Sequence, residues 1–123
     1  MPVDNRDFSI IQKIAKYCDE IEEAHEKFSS SHDLFLTDAV YRNAVSLCIM
    51  QIGELSNHLS EEFKSNNSSI PWKEIRGMRN VVAHEYGNID AEIVWETATE
   101  NIVQIKTFCQ SILEESETPI QSM

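Results

Sequence analysis

Residues 44–52 read Ala-Val-Ser-Leu-Cys-Ile-Met-Gln-Ile, apolar nearly all the way round a helix. One apolar face serves a helix's own core; a second must be covered by something else. Two arrangements supply that cover: a subunit interface, or a central position within the chain's own bundle. The stretch sits in a longer pattern in which Val40, Ala44, Leu47, Gln51, Leu55 and His58 fall on one line. Thr37 is a candidate N-cap with Asp38 in the first turn, and the helix is predicted to run to about Lys64. Gly53 interrupts it, at a cost of ~1 kcal/mol against alanine. That points to another backbone passing close by.

The remaining segments read as helices too. From roughly Asp4 to Phe28, Phe8, Ile11, Ile14, Ala15, Cys18, Ile21 and Phe28 recur at three- and four-residue spacing. Ser29-Ser30-Ser31-His32-Asp33 is a polar break, and Ser65-Asn66-Asn67-Ser68-Ser69 is a second. Ser69 is placed to cap a third long helix, with Pro71 in its first turn. Gly87 and Asn88 stop that helix close to His84–Gly87. Asp90 opens a last helix to about Glu115, whose stripe is Val94, Ala98, Ile102, Ile105, Cys109 and Ile112, widened by Trp95, Phe108 and Leu113. With only three glycines and three prolines in 123 residues, mostly at these breaks, the chain is predicted to be all-α. The expected architecture is one domain over residues 1–115 with a polar tail over 116–123: four long helices, up-and-down, pairing into a dimer through the Ala44–Ile52 face.

No apolar run approaches the length that spans a bilayer, and no N-terminal signal pattern is present, so a cytoplasmic protein with no membrane partner is expected. Cys18, Cys48 and Cys109 are far apart among apolar residues, which predicts reduced, buried thiols. No Cys or His pair has zinc-ligand spacing, and neither metal nor cofactor is expected. His25, His32 and His58 fall at polar positions and are expected to be solvated, without a role. The net charge is −11, the wrong sign for a general nucleic-acid binder. Lys73, Arg76 and Arg79 nevertheless form a basic island with His84, against Glu74 and Glu85. Such an island suits an enzyme touching few phosphates; the acidic body suits either a basic partner or solubility alone.

The chemistry is concentrated in Arg76-Gly77-Met78-Arg79-Asn80-Val81-Val82-Ala83-His84-Glu85-Tyr86. A guanidinium is a permanent forked cation that fits phosphate oxygens. An imidazole exchanges protons near neutral pH, and a phenol adds a hydroxyl. Arginine and histidine at this spacing also occur as ordinary helix-end residues. A helix turns about 100° per residue, so Arg79 and His84 point about 140° apart. Asn80 and His84 share a face, as do Arg79 and Tyr86 if the helix continues. Either the helix ends before His84 and swings it inward, or two motifs face each other across a two-fold axis and pool their groups.

Arg79-Asn80-Val81-Val82-Ala83-His84-Glu85-Tyr86 resembles the R-x4-H-x-Y signature of the HEPN superfamily, in its HepT-like toxin branch. Pro71-Trp72-Lys73-Glu74-Ile75-Arg76-Gly77-Met78 before it, Ile89-Asp90 and Val94-Trp95 after it, and Gln51-Ile52-Gly53-Glu54 upstream are similar as well. The resemblance implies an all-α dimer with a composite cleft. It implies a metal-independent endoribonuclease, the toxin of a toxin–antitoxin pair whose antitoxin is a small nucleotidyltransferase. On that basis Arg79 and His84 are the catalytic candidates. Asn80, Tyr86 and Arg76 are the substrate-binding candidates. Asn80 could equally be a surface amide, and Arg76 could instead pair with Glu74 or Asp90. The resemblance also makes Tyr86 the position where the partner attaches AMP, although Tyr86 could simply pack on the last helix. The competing function is a non-catalytic HEPN module that binds a nucleotidyltransferase or a nucleotide.

Overall fold

A computed structural model describes the backbone of residues 3–83 and 91–117, and the side chains of 3–79 and 91–115. All regular structure among these residues is helical. Helix α1 spans Asn5–Lys27, α2 His32–Thr37, α3 Ala39–Ser56, α4 Glu61–Asn66 and α5 Trp72–Ala83. The last helical run is α6 (Ala91–Glu96), a π-helical turn over Thr97–Asn101, and α7 (Ile102–Glu117). Helix α3 packs mainly on α1 and α5, and α1 also packs on α7.

Each long helix turns its apolar stripe inward. Ile11, Ile14, Cys18 and Ile21 of α1 meet Val45, Ile49 and Ile52 of α3 and Val94, Ala98, Ile102 and Cys109 of the last run in one buried cluster. Residues 94, 98 and 102 step by four, more than the 3.6 of an α-helix. The wider π turn keeps all three on the core, where each is at most 2% exposed. Thr97 and Thr99 hydroxyls donate back to the Ile93 and Trp95 carbonyls, each at 2.9 Å, beside that turn.

The second helix is shorter than its periodicity predicts. It ends at Ser56, and a separate α4 begins after Ser60. The cause is Asp7, a carboxylate only 3% exposed on α1. It accepts the Ser60 amide at 2.9 Å and the Ser60 hydroxyl at 2.6 Å, while Ser60 Oγ accepts from Phe63 N at 3.1 Å. Ser60 is therefore an N-cap held in place by α1, which starts a new helix and stops the old one. The α3 cap is Asp38, which accepts from the Val40 and Tyr41 amides; Thr37 instead ends α2. The predicted polar break after α1 is real but brief. Ser29 and Ser30 take left-handed φ of 58° and 49°, the Ser30 amide returns to His25 O at 2.7 Å, and Ser31 caps α2. Helix α5 begins at Trp72, so Pro71 and not Ser69 precedes its first residue. The predicted helix end at 84–87 and the start at Asp90 lie outside the described residues; of the tail predicted over 116–123, the first two residues continue α7 and the rest lie outside them.

The doubly apolar helix divides as its pattern requires. Tyr41, Val45, Cys48, Ile49 and Ile52 are buried, whereas Val40 and Leu47 are 71% and 52% exposed. Among the described residues nothing of this chain covers the Val40–Ala44–Leu47 stripe. The three cysteines are free and buried, as expected. Burial pushes the Cys48 thiol up to about 11 and Cys109 to about 12.

Candidate active site

The site is organised by the crossing of α3 and α5. A Cβ at Gly53 would lie 3.1 Å from both Arg79 N and Ile75 O, and 3.2 Å from Arg79 Cβ. The missing side chain lets the two backbones meet at Arg79. The sequence expectation of a close approach at Gly53 is thus met, and its partner is α5. The adjacent Glu54 then takes the guanidinium: Arg79 Nη1 donates to Glu54 Oε2 at 2.9 Å. Both side chains stay well exposed, at 37% and 45%. His58 Nε2 stands 4.0 Å from the other Glu54 oxygen. One carboxylate therefore sits between a cation and an imidazole at the surface.

This arrangement orients Arg79 without burying its charge. The bond to Glu54 uses one of five guanidinium donors, a fork suited to phosphate. Lys73, Arg76 and Arg79 recur every three residues along α5, so they share one ridge, with Lys73 and Arg76 exposed. Among the described residues Arg76 makes no ion pair with Glu74; Asp90 lies outside them. Asn80 is on the α5 backbone, but its side chain is not among those described. His84 and Tyr86 also fall outside the described residues. The structure thus positions Arg79 and Arg76 and leaves the other three site residues as sequence expectations.

Sequence reasoning missed Glu54 as the Arg79 partner. The two are 25 residues apart, and only the contact at Gly53 joins them. It also misread His25, which is half-buried rather than solvated. Its Nδ1 lies 2.5 Å from the Tyr41 hydroxyl, and its ring meets Tyr41 and Trp95 edge-on at centroid distances of 5.8 and 5.7 Å. Burial lowers its pKa from the usual histidine range, against smaller opposing pulls from the Ala98 carbonyl and Glu22. Nε2 is buried without a hydrogen bond of good geometry. The spacing Ile14, Cys18, Ile21, His25 is the signal that places it on the inner face. His32 is exposed, as expected, but holds Glu92 at 2.6 Å and lies against Trp95 with centroids 5.1 Å apart. His25, Tyr41 and Trp95 thus form one ring cluster, with His32 at its exposed edge.

Comparison with known proteins bears on the family of the whole chain. The chain is 34% identical over 87 residues to a protein of Caldanaerobacter subterraneus subsp. tengcongensis named as an RNase, covering 71% of this chain and 78% of that one. It is 28% identical over 109 residues to a Methanocaldococcus jannaschii protein named likewise, covering 89% and 88%. A Thermococcus cleftensis protein named as ribonuclease HepT is 35% identical over 72 residues, 58% of this chain and 66% of the other. No solved structure matches. The family described as Ribonuclease HepT-like matches residues 14–112, and the chain belongs to that family.

Proposed function

We propose that this protein is a metal-independent endoribonuclease, the toxin of a pair whose antitoxin is a nucleotidyltransferase, acting on RNA in the cytoplasm. The observation that carries the reading is Arg79, fixed by the Gly53 crossing and held half-exposed by Glu54, in a chain of the HepT-like ribonuclease family. In this reading Arg79 grips the scissile phosphate and stabilises the charge of the pentacoordinate state. His84 takes the proton of the ribose 2′-OH or gives one to the leaving 5′-oxygen. The 2′-oxygen attacks phosphorus and the bond to the 5′-oxygen breaks, leaving a 2′,3′-cyclic phosphate. Arg76 adds a phosphate contact from the same ridge, and Asn80 orients His84 or the phosphate.

The active form is a homodimer of four-helix, up-and-down subunits. The exposed stripe of Val40, Ala44 and Leu47 supports this, because a second copy of the same stripe would cover it. Dimerisation answers the angular problem as well, since facing motifs can pool groups that one helix points apart. Tyr86 is the control point: AMP attached there would bring negative charge beside Arg79 and compete with RNA phosphate. Its test is the intact mass after co-expression with the neighbouring nucleotidyltransferase. Added AMP mass that disappears in Tyr86→Phe is expected, and neutralisation without added mass contradicts it.

The net charge of −11 favours a second reading, a non-catalytic module that binds its partner. Digestion of single-stranded RNA in EDTA separates the two. Wild type should cleave, and Arg79→Ala and His84→Ala should each lose roughly 10²–10⁴-fold while keeping their helical spectra. An intact substrate with wild type, or full activity in His84→Ala, overturns the catalytic reading.

A further inference from the structure

A cavity of about 310 Å³ opens between α5 and the π turn with α7. Glu74, Gly77 and Met78 line it from α5, and Asn101, Gln104 and Ile105 from the other side. Gly77 is unlike Gly53. A Cβ built there meets nothing within 4 Å, and the residue needs no special backbone angle. Packing among the described residues therefore gives no reason for a glycine that weakens the helix by ~1 kcal/mol. Its effect is to leave the cavity wall open. The π turn places Asn101 on the same cavity while Ala98 stays in the core.

The lining has the chemistry of a base-recognition site. Met78 and Ile105 offer apolar contact to a flat ring. Asn101 and Gln104 are exposed amides, each with donors and an acceptor, and neither is bonded to another described residue. Glu74 is an exposed carboxylate with no ion pair among the described residues. A carboxylate repels phosphate, so the backbone of a nucleic acid is excluded here, while amino groups on a base edge are welcome. Lys73 and Arg76 flank Glu74 on α5. Arg76 stands about 60° round the helix from Arg79 and about 100° from Gly77, a path for a strand running from the phosphate grip to the cavity.

We propose that this cavity receives an unpaired nucleobase of the RNA, guanine in preference to uracil. Guanine presents an N1–H and an amino group side by side, which one carboxylate accepts together, and its O6 and N7 accept from side-chain amides. Uracil has no amino group for Glu74. Single-stranded RNA is commonly read in this way, by hydrogen bonds to base edges of splayed-out nucleotides. The proposal rests on the ribonuclease reading for its ligand class, but its test does not require cleavage.

The test is fluorescence anisotropy with the full chain and two labelled 2′-O-methyl hexanucleotides that cannot be cleaved, one of uridines only and one with a single central guanosine. The guanosine probe should bind about fivefold tighter or better, the least that one good bidentate contact provides. Glu74→Gln should bring the two probes close to parity. Gly77→Leu, which fills the cavity with a good helix former, should do the same. Equal binding of both probes by wild type overturns the proposal, as does a preference that survives in both variants. Parallel digestion of unmodified RNA keeps the two questions apart. Cleavage with no guanosine preference sinks the cavity alone; guanosine preference without cleavage sinks the ribonuclease reading and leaves the cavity standing.

Discussion

The α3–α5 crossing and the His25–Tyr41–Trp95 cluster both combine titratable groups with tight packing, to opposite ends. In the cluster the rings are turned inward. Tyr41 is fully buried, stacks on Phe28 at 4.5 Å and meets Phe35 edge-on at 5.1 Å. His25 is kept neutral by burial and serves as a hydrogen-bond partner for the Tyr41 hydroxyl. At the crossing the tight contact is made by backbone against a glycine, and the charges of Arg79 and Glu54 remain near water. In the proposed role Arg79 must stay charged and reachable for phosphate, and a position fixed through the main chain beneath it is compatible with that. A histidine in this chain is thus not a catalytic candidate by type alone; half-buried His25 is engaged in ring packing.

The contrast can be broken by mutation. Tyr41→Ala should cost about 3–5 kcal/mol, since it removes a large buried aromatic side chain. Chemical denaturation checks this, and a loss under 1 kcal/mol would mean the cluster is not a stability centre. Gly53→Ala should cost about 1–3 kcal/mol, because the new methyl meets backbone atoms that cannot turn aside. Unchanged stability there would show that α3 and α5 do not cross so closely.

The pH dependence follows from His25. Its folded pKa is below the unfolded one, so its neutral form stabilises the fold above the usual histidine range. As pH falls through that range the unfolded chain takes up the proton first, and stability drops by at most about 1.4 kcal/mol per pH unit for one such group. Melting temperatures between pH 7.5 and 5 should fall in wild type and fall less in His25→Phe; equal slopes would contradict the assignment. Gly77→Ala should stabilise by up to ~1 kcal/mol, the opposite sign to Gly53→Ala in the same assay. Smallest of all, Glu54→Gln should change stability by less than ~1 kcal/mol, as an exposed ion pair does. A larger loss would make the Arg79–Glu54 bond part of the core's support.

The long helices were legible because their apolar residues recur at three and four. Cys18 and Ile102 each fall on a predicted stripe and each is buried, whereas Val40 and Leu47, on the line predicted along the second helix, are exposed. The short helices were not legible. Six-residue α2 and α4 carry too few turns for a period, and their starts depend on Ser31 and on a bond between Ser60 and a distant Asp7. Arg79 could be singled out from its chemistry and the resemblance. Glu54 could not, because its bond to Arg79 depends on where two helices cross. Gly53 and Gly77 both stand inside helices, and their surroundings in three dimensions separate them.

The central claim is that Arg79 and His84 cut RNA through its own 2′-oxygen. It is tested most directly by a short RNA with one cleaved bond, prepared with and without a single 2′-deoxy sugar on the 5′ side of that bond, and digested in EDTA. The all-ribose strand should be cut to a 2′,3′-cyclic phosphate end, and the deoxy-substituted bond should remain intact with wild type, as both bonds should with His84→Ala. Cleavage at the deoxy position, or cleavage that appears only when a divalent ion is restored, would contradict the account.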